Sequence, residues 1–295
     1  MVKPNIFAVS DVNSAGEITY CRLSGDVDVE RLKEVWAQRS LDPALLPPQP
    51  TDEYALKRAC LESKGGFRVL LRPLQGITGY ALVTETADGK DLTYDTDGML
   101  RAYVVYDQTA DGPKIPRAVV EPENHPKAKT IRALFEEYRG TISSRLIGGN
   151  WLWGKLAALC QSVSLRDTGG VYFIPADCVD RWHVFCEAIE EASLSTIFHI
   201  PAVRADEAIF AVLAALQVEA ESEIASMAEE LSRADDGALG ARALRSRAMR
   251  SRDVRAKVQH YEKLFERAVP GLQEKIDALD ADIASAVLLL SPDGS

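Results

Sequence analysis

Two neighbouring stretches of opposite charge constrain the fold of this chain more than any other feature. Residues 206–232 carry seven acidic side chains and no basic one, whereas residues 239–257 carry seven basic side chains and one acidic one. A short breaker, residues 234–240, separates them. Both stretches have the apolar spacing of long helices. The pattern predicts an antiparallel helical hairpin that turns near Gly237, with arms of opposite charge side by side.

The apolar residues of the first arm recur at intervals of four and three, which is typical of a coiled-coil stripe. They are Ile209, Leu213, Leu216, Ala220, Ile224, Met227 and Leu231. Folding the chain at Gly237 places Glu223 opposite Arg250 or Arg252, and it places Glu219 opposite Arg255. Charge pairing between the arms is therefore expected.

The basic residues of the second arm have a second interpretation. They are Arg242, Arg245, Arg247, Arg250, Arg252, Arg255 and Lys257. Besides pairing with the acidic arm, such a strip is typical of proteins that contact nucleic-acid phosphates or an acidic partner. No aromatic residue interleaves it before Tyr261, which disfavours stacking on single-stranded bases.

A last helix carries apolar residues at heptad spacing. They are Leu272, Ile276, Leu279, Ile283 and Val287. A stripe of this kind needs an apolar partner, either the body of the protein or another subunit. It is therefore a candidate oligomerisation stripe.

The composition is that of an ordinary globular protein. Apolar residues make up 46% and charged residues 26% of the 295 residues, which is enough to build a core. The net charge of −10 disfavours non-specific binding of nucleic acid or of an anionic membrane by the molecule as a whole. Five cysteines without a CxxC pair, no signal peptide and no long apolar run favour a cytoplasmic protein that is not inserted in a membrane.

The order of predicted elements gives an α+β fold with three units. Residues 1–121 predict a β-rich domain, an antiparallel meander with short helices, in which Ile6–Ser10 and Glu17–Leu23 form a hairpin. Residues 122–203 predict an α-α-β-α-β unit with helices over 127–139 and 141–164 and two strands side by side. Residues 204–295 predict the helical hairpin and the C-terminal helix.

No complete catalytic or cofactor motif is present. Gly149–Leu156 has the spacing of a phosphate-binding loop but places Leu156 where Ser or Thr must hold Mg²⁺, and no strand precedes it. Asp88, Asp91, Asp95 and Asp97 are candidates for a hard cation, although such residues are commoner as turn-formers. The sequence therefore assigns no catalytic, cofactor or metal residue.

A group of thiols and imidazoles has two readings. Cys178, His183 and Cys186 fall on one predicted helix, and His199 on the next strand. Converging thiols and imidazoles are typical of zinc ligands, but buried thiols beside Trp182 and a surface histidine explain the same pattern.

Three segments resemble an uncharacterised family of bacteriophage, prophage and bacterial proteins. They are Asp26–Trp36 with the following Leu41-Asp42-Pro43, Ala55–Ala59, and Gly169–Pro175. The resemblance implies a setting in phages or mobile elements and no particular activity.

Together these observations predict a non-enzymatic assembly or partner-binding protein that uses the charge-segregated hairpin, with another protein or a second copy as its partner. Nucleic-acid binding through the arginine strip is one alternative. An enzyme, or an enzyme inhibitor, with its site in the β-rich unit is another.

Overall fold

A computed structural model describes residues 14–65, 69–88, 91–108, 114–143, 147–232 and 241–290. Within these ranges, the side chains of 85–88, 91–98, 241 and 288–290 are not described. The described chain is a mixed α+β fold in two compact units. The first unit comprises residues 1–22, 153–186 and 196–295, and the second comprises 23–152 and 187–195. The division into three units with boundaries at 121 and 203 stays a prediction from the sequence.

The first unit is built on a four-stranded antiparallel sheet. Strand β1 is Ser14–Arg22, and further strands follow much later in the chain. Six strands of the second unit come next in the chain, so the remaining strands of this sheet are β8 (Val163–Ser164), β9 (Val171–Pro175) and β10 (Thr196–Val203). The order is β10-β1-β9-β8. Strand β1 therefore lies between the two strands that were predicted to be neighbours, which corrects that prediction.

The position of β1 between β9 and β10 depends on long-range pairing. Strands β9 and β10 are joined through a helix, and β1 pairs antiparallel with both of them, with Ile18 opposite Phe173 on one side and Ile200 on the other. Such pairing joins residues more than 150 positions apart, and hydrophobic periodicity carries no information about it. The hairpin partner predicted for β1, Ile6–Ser10, lies outside the described residues.

The two faces of this sheet pack against different elements. Successive side chains on a strand point to opposite faces, so each face presents its own set of residues. One face packs Phe173 against the C-terminal helices. The opposite face carries Glu17 and Thr19 and is covered by helix α4 (Val179–Glu191), whose buried Trp182 donates from Nε1 to Thr19 Oγ1 at 3.2 Å. Helix α4 and the sheet thus enclose a polar position on β1.

The C-terminal helices are α5 (Asp206–Ser232), α6 (Ala241–Phe265) and α7 (Leu272–Leu290). Ion pairs at both ends show that α5 and α6 are antiparallel, because Asp206 pairs with Arg267 and Glu230 pairs with Arg247. The predicted helical hairpin is confirmed. The breaker and Gly237 lie outside the described residues.

Helix α7 returns along this pair. Its Leu279 and Ile283 bury against Met227 of α5 in a satellite cluster, and its Lys275 binds Glu221 at 2.7 Å. The three helices and the sheet share one core. Its larger members include Leu216, Tyr261, Phe265, Leu272 and Ile276.

The second unit contains a β-meander with two helices on one face. Strands β3 (Val69–Pro73), β4 (Gly79–Asp88), β5 (Asp91–Asp107) and β6 (Ile115–Glu121) are hydrogen-bonded in sequence order. Helices α2 (Asp52–Ser63) and α3 (Ala128–Arg139) bury Leu56 and Phe135 against this sheet. The predicted meander is confirmed.

Local sequence signals determine the start of this unit. Strand β2 (Asp26–Asp28) leads into helix α1 (Val29–Gln38), and the Asp28 carboxylate accepts from the Arg31 amide at 2.8 Å as the helix cap. The buried face of α1 is formed by apolar residues at helical spacing. It consists of Val29, Leu32, Val35 and Trp36.

The helix predicted over 141–164 is only partly formed. Strand β7 (Thr141–Ser143) pairs with β2, and Ile147–Ala157 form a π-helical segment. The β-branched pair Thr141-Ile142 favours extended backbone, and Gly148-Gly149 weakens any continuous helix through this stretch. Among the described residues, no helix is long and apolar enough to cross a membrane.

Candidate metal centre

A buried carboxylate lies on the inner face of β1. Glu17 stands between Pro201 of β10 and Ile174 of β9, and its side chain is 5% exposed. A buried carboxylate requires charged or hydrogen-bonding partners, because its transfer from water is otherwise costly. Glu17 is therefore the residue around which this site is organised.

Two histidines from different elements meet this carboxylate. His183 of α4 places Nε2 at 2.7 Å from Oε2 of Glu17, and His199 of β10 places Nδ1 at 2.8 Å from Oε1. The two rings meet edge to face, with centroids 4.5 Å apart. Each carboxylate oxygen thus has its own imidazole, and three residues far apart in sequence converge on one point.

The backbone around Glu17 fixes its direction. A register shift between Ser14 and Gly16 of β1 forms a bulge immediately before Glu17. Gly16 has φ +146°, and a Cβ there would lie 2.1 Å from the carbonyl oxygen of Ile174. Only glycine permits this close approach of β1 and β9. Bulges of this kind re-aim neighbouring side chains.

Aromatic packing holds His183 above the sheet. The preceding residue, Trp182, is fully buried and hydrogen-bonded to Thr19, two residues along β1 from Glu17. Trp153 packs against Trp182 with ring centroids 5.6 Å apart, and it stacks on Tyr172 at 4.2 Å. Helix α4 is therefore anchored to the sheet one residue from the imidazole.

The electrostatics of the cluster favour the ionised carboxylate. Burial by itself raises the pKa of Glu17, but hydrogen bonds from His183 and His199 and charge interaction with both rings outweigh it. The pKa of Glu17 consequently lies below its ordinary value. An ionised oxygen donor between two imidazoles is the form that binds a metal cation.

The geometry fits a first-row transition metal. The three ligand atoms lie within 4.8 Å of one another. Metal–nitrogen and metal–oxygen bonds of about 2.0–2.2 Å place adjacent ligand atoms roughly 3 Å apart. The observed separations of 2.7 and 2.8 Å need to open by only a few tenths of an ångström. Two imidazoles and one carboxylate are a donor set used for zinc and for non-haem iron.

The sequence analysis identified two of the three members of this cluster. It singled out His183 and His199, but grouped them with Cys178 and Cys186, and it did not consider Glu17. Cys186 is buried in the core and Cys178 is half-buried, with burial raising the pKa of its thiol. Among the described residues, the only set of three donors close enough to share a metal is Glu17, His183 and His199. The sequence signal that could have revealed this site was the acidic residue at an inward-facing position of β1.

The arginine strip divides into paired and exposed residues. Arg250 binds Glu223 at 2.7 Å, as predicted, and Lys257 rather than Arg255 pairs with Glu219. Arg255 turns to α7 instead, because Asp277 and Asp280 approach it at 2.7 and 2.6 Å.

Arg247 is nearly buried and binds Glu230 at 3.0 Å. The remaining three members of the strip, Arg242, Arg245 and Arg252, are exposed. The strip is therefore split between residues in intramolecular ion pairs and residues on an exposed surface.

The stripe on α7 is mostly occupied within the chain. Its sequence pattern left the body of the protein or another subunit as its partner, and four of its members are buried against α5 and α6. They are Leu272, Ile276, Leu279 and Ile283. Val287 is 45% exposed. The body of the protein is thus the partner of this stripe over most of its length.

The other motif candidates fall in a π-helical segment and in two strands. Gly149–Leu156 lies in the π-helical segment, with Leu152 and Leu156 fully buried. The backbone of Asp88, Asp91, Asp95 and Asp97 belongs to β4 and β5, and their side chains lie outside the described ones.

Comparison with known proteins gives a family. Residues 16–291 match the model of a family of unknown function, DUF6744. The chain belongs to this family. The match includes all three ligands of the candidate centre, and it confirms the expectation of an uncharacterised family, whereas the phage setting stays a prediction. No curated protein and no solved structure matches this DUF6744 chain.

Proposed function

We propose that this DUF6744 protein binds one divalent transition-metal ion through Glu17, His183 and His199. The convergence of three donor atoms within 4.8 Å, on a buried and ionised carboxylate, carries the proposal. A nitrogen and oxygen set without thiolate favours zinc, iron, cobalt or manganese over copper(I).

The arrangement of the ligands supports this assignment over chance proximity. They come from two strands and one helix, and the contacts of Trp182 and Gly16 hold these elements together. A preformed site of this kind binds metal without folding around it. The alternative is a purely structural triad in which two imidazoles neutralise a buried carboxylate.

Equilibrium dialysis against zinc(II), with metal analysis of the protein, separates the two. The wild type is expected to bind one equivalent at micromolar free zinc. His183→Ala and His199→Ala should each weaken binding by more than about 100-fold, because even outer-shell partners of a metal typically contribute 10–100-fold.

The matched control is His125→Ala, which removes a histidine from the other compact unit. It should bind zinc like the wild type. A wild type that takes up no zinc, or a His125→Ala variant that loses it equally, would leave only the structural triad.

Contact with nucleic acid is a second proposal, favoured by one observation. Arg242, Arg245 and Arg252 are exposed, and their spacing of three and seven residues places them on one face of α6. Replacing all three by Glu should abolish salt-sensitive retention of DNA or RNA. A wild type that shows no retention at low salt would remove this proposal.

The proposed setting is the cytoplasm. All five cysteines lie in the described residues and none forms a disulfide there, which supports a reducing compartment. Partner binding by the C-terminal helices stays a prediction from the sequence, for which the solution mass of the full chain is the measurement.

A further inference from the structure

We infer that the centre is open, with at least one exchangeable position that takes a water molecule or a small anion. This inference rests on the metal binding proposed above. It concerns the kind of chemistry the centre supports, because closed metal sites are structural whereas open ones activate water or bind substrate.

The number of donors gives the first argument. Zinc takes four ligands in most protein sites, and iron, cobalt or manganese commonly take six. Within the part of the chain that the structure describes, only Glu17, His183 and His199 lie close enough to share one ion. One position is therefore left for an outside ligand in a tetrahedral centre, and up to about three in an octahedral one.

The exposure of the three side chains shows where those positions lie. The Glu17 carboxylate is 5% exposed, the His199 ring 26% and the His183 ring 41%. The carboxylate thus forms the floor of the site and the imidazoles form its rim. His199 lies on β10, which is an outer strand of the sheet in the described chain. The unfilled positions consequently face solvent and not the core.

Charge determines which ligand enters. A divalent ion with one carboxylate and two neutral imidazoles keeps a net charge of about +1, which attracts an anion and lowers the pKa of a bound water towards about 7. The exposed carboxylates Asp180 and Glu187 lie one turn on either side of His183 along α4. They disfavour large polyanions next to the ion, so hydroxide and other small monovalent anions are the expected ligands.

The balance of the expected step is simple. A water on an ion held by Glu17, His183 and His199 would lose one proton to solvent to give a hydroxide, with no change in the oxidation state of the ion. An added anion replaces that water or hydroxide in the same position. Both changes alter the coordination of the metal without altering the protein ligands.

Cobalt(II) is the probe, because its visible absorption reports the ligands around it. The full-length wild type loaded with one equivalent of cobalt(II) should show visible bands that change on addition of millimolar azide. The bands should also change on raising the pH, with a midpoint near about 7 as the bound water ionises. His125→Ala should behave in the same way, and His183→Ala should lose the protein-bound spectrum.

The outcomes separate the two proposals. Cobalt bands that respond to neither azide nor pH would mean a closed centre and would overturn this inference while leaving metal binding intact. Failure of cobalt(II) and zinc(II) to bind at all would overturn both. An azide response that survives in His183→Ala would place the metal elsewhere and would also overturn the inference.

Discussion

Replacing Ile276 by alanine tests whether α7 is part of the core of this chain. Ile276 is 0% exposed and belongs to the cluster that joins the sheet to the C-terminal helices. The change removes three carbon atoms, which costs about 2.4 kcal/mol in transfer free energy at about 0.8 kcal/mol for each buried methylene. The remaining cavity adds to this, for a total of roughly 3–4 kcal/mol.

The assay is urea unfolding followed by far-ultraviolet circular dichroism. With a urea dependence of about 2 kcal/mol/M, the expected loss lowers the transition midpoint by roughly 1.5–2 M. Val287→Ala is the matched control, since Val287 lies on the same stripe but is 45% exposed. It should change the free energy of unfolding by less than about 0.5 kcal/mol.

The solution mass of both variants completes this test. We expect Ile276→Ala to lower stability without changing the number of subunits. An unaltered urea midpoint together with a loss of oligomer would refute the packing argument and restore the stripe as an interface between copies.

Three further predictions concern single groups. Zinc at about 100 times its dissociation constant should stabilise the wild type by about 2.7 kcal/mol. For an unfolding entropy of about 0.6 kcal/mol/K, this raises Tm by roughly 4 °C. Differential scanning calorimetry should show no such rise in His199→Ala. The lowered pKa of Glu17 stabilises the protein at pH values above the unfolded-state pKa of about 4.3. The difference in free energy of unfolding between the wild type and Glu17→Gln should therefore be largest near neutral pH, and it should disappear on acidification through the lower folded-state pKa. A difference that grows in acid would contradict the assignment. Tyr261→Phe removes the 2.6 Å hydrogen bond that the buried hydroxyl donates to the Gln161 carbonyl oxygen, and it should cost about 1–2 kcal/mol in urea unfolding, whereas a neutral effect would mean that this carbonyl finds another donor.

Most of the secondary structure could be predicted from local signals in the sequence. Each of these signals acts over a few helical turns, so the sequence pattern indicates it directly. They are the cap at Asp28, the apolar face of α1 and the opposite charges of α5 and α6. The pairing of Glu223 with Arg250, one of the two arginines predicted for it, followed from the same reasoning.

Long-range pairing was the part that the sequence did not reveal. The insertion of β1 between β9 and β10 joins segments whose residue numbers differ by more than 150. Because that pairing was missed, Glu17 was not placed beside His199, and one of two interpretations grouped the histidines with Cys178 and Cys186. Arg255 was misassigned for a related reason, since the third helix that supplies Asp277 and Asp280 was not docked on the hairpin.

The location of a bound metal tests the account most directly. Crystals of the full chain soaked in zinc(II) should give one anomalous-scattering peak about 2.0–2.2 Å from Nε2 of His183, Nδ1 of His199 and a carboxylate oxygen of Glu17. A peak only at other residues, or an intact hydrogen-bonded triad without a peak in zinc-soaked crystals, would contradict the assignment of this cluster as a metal centre.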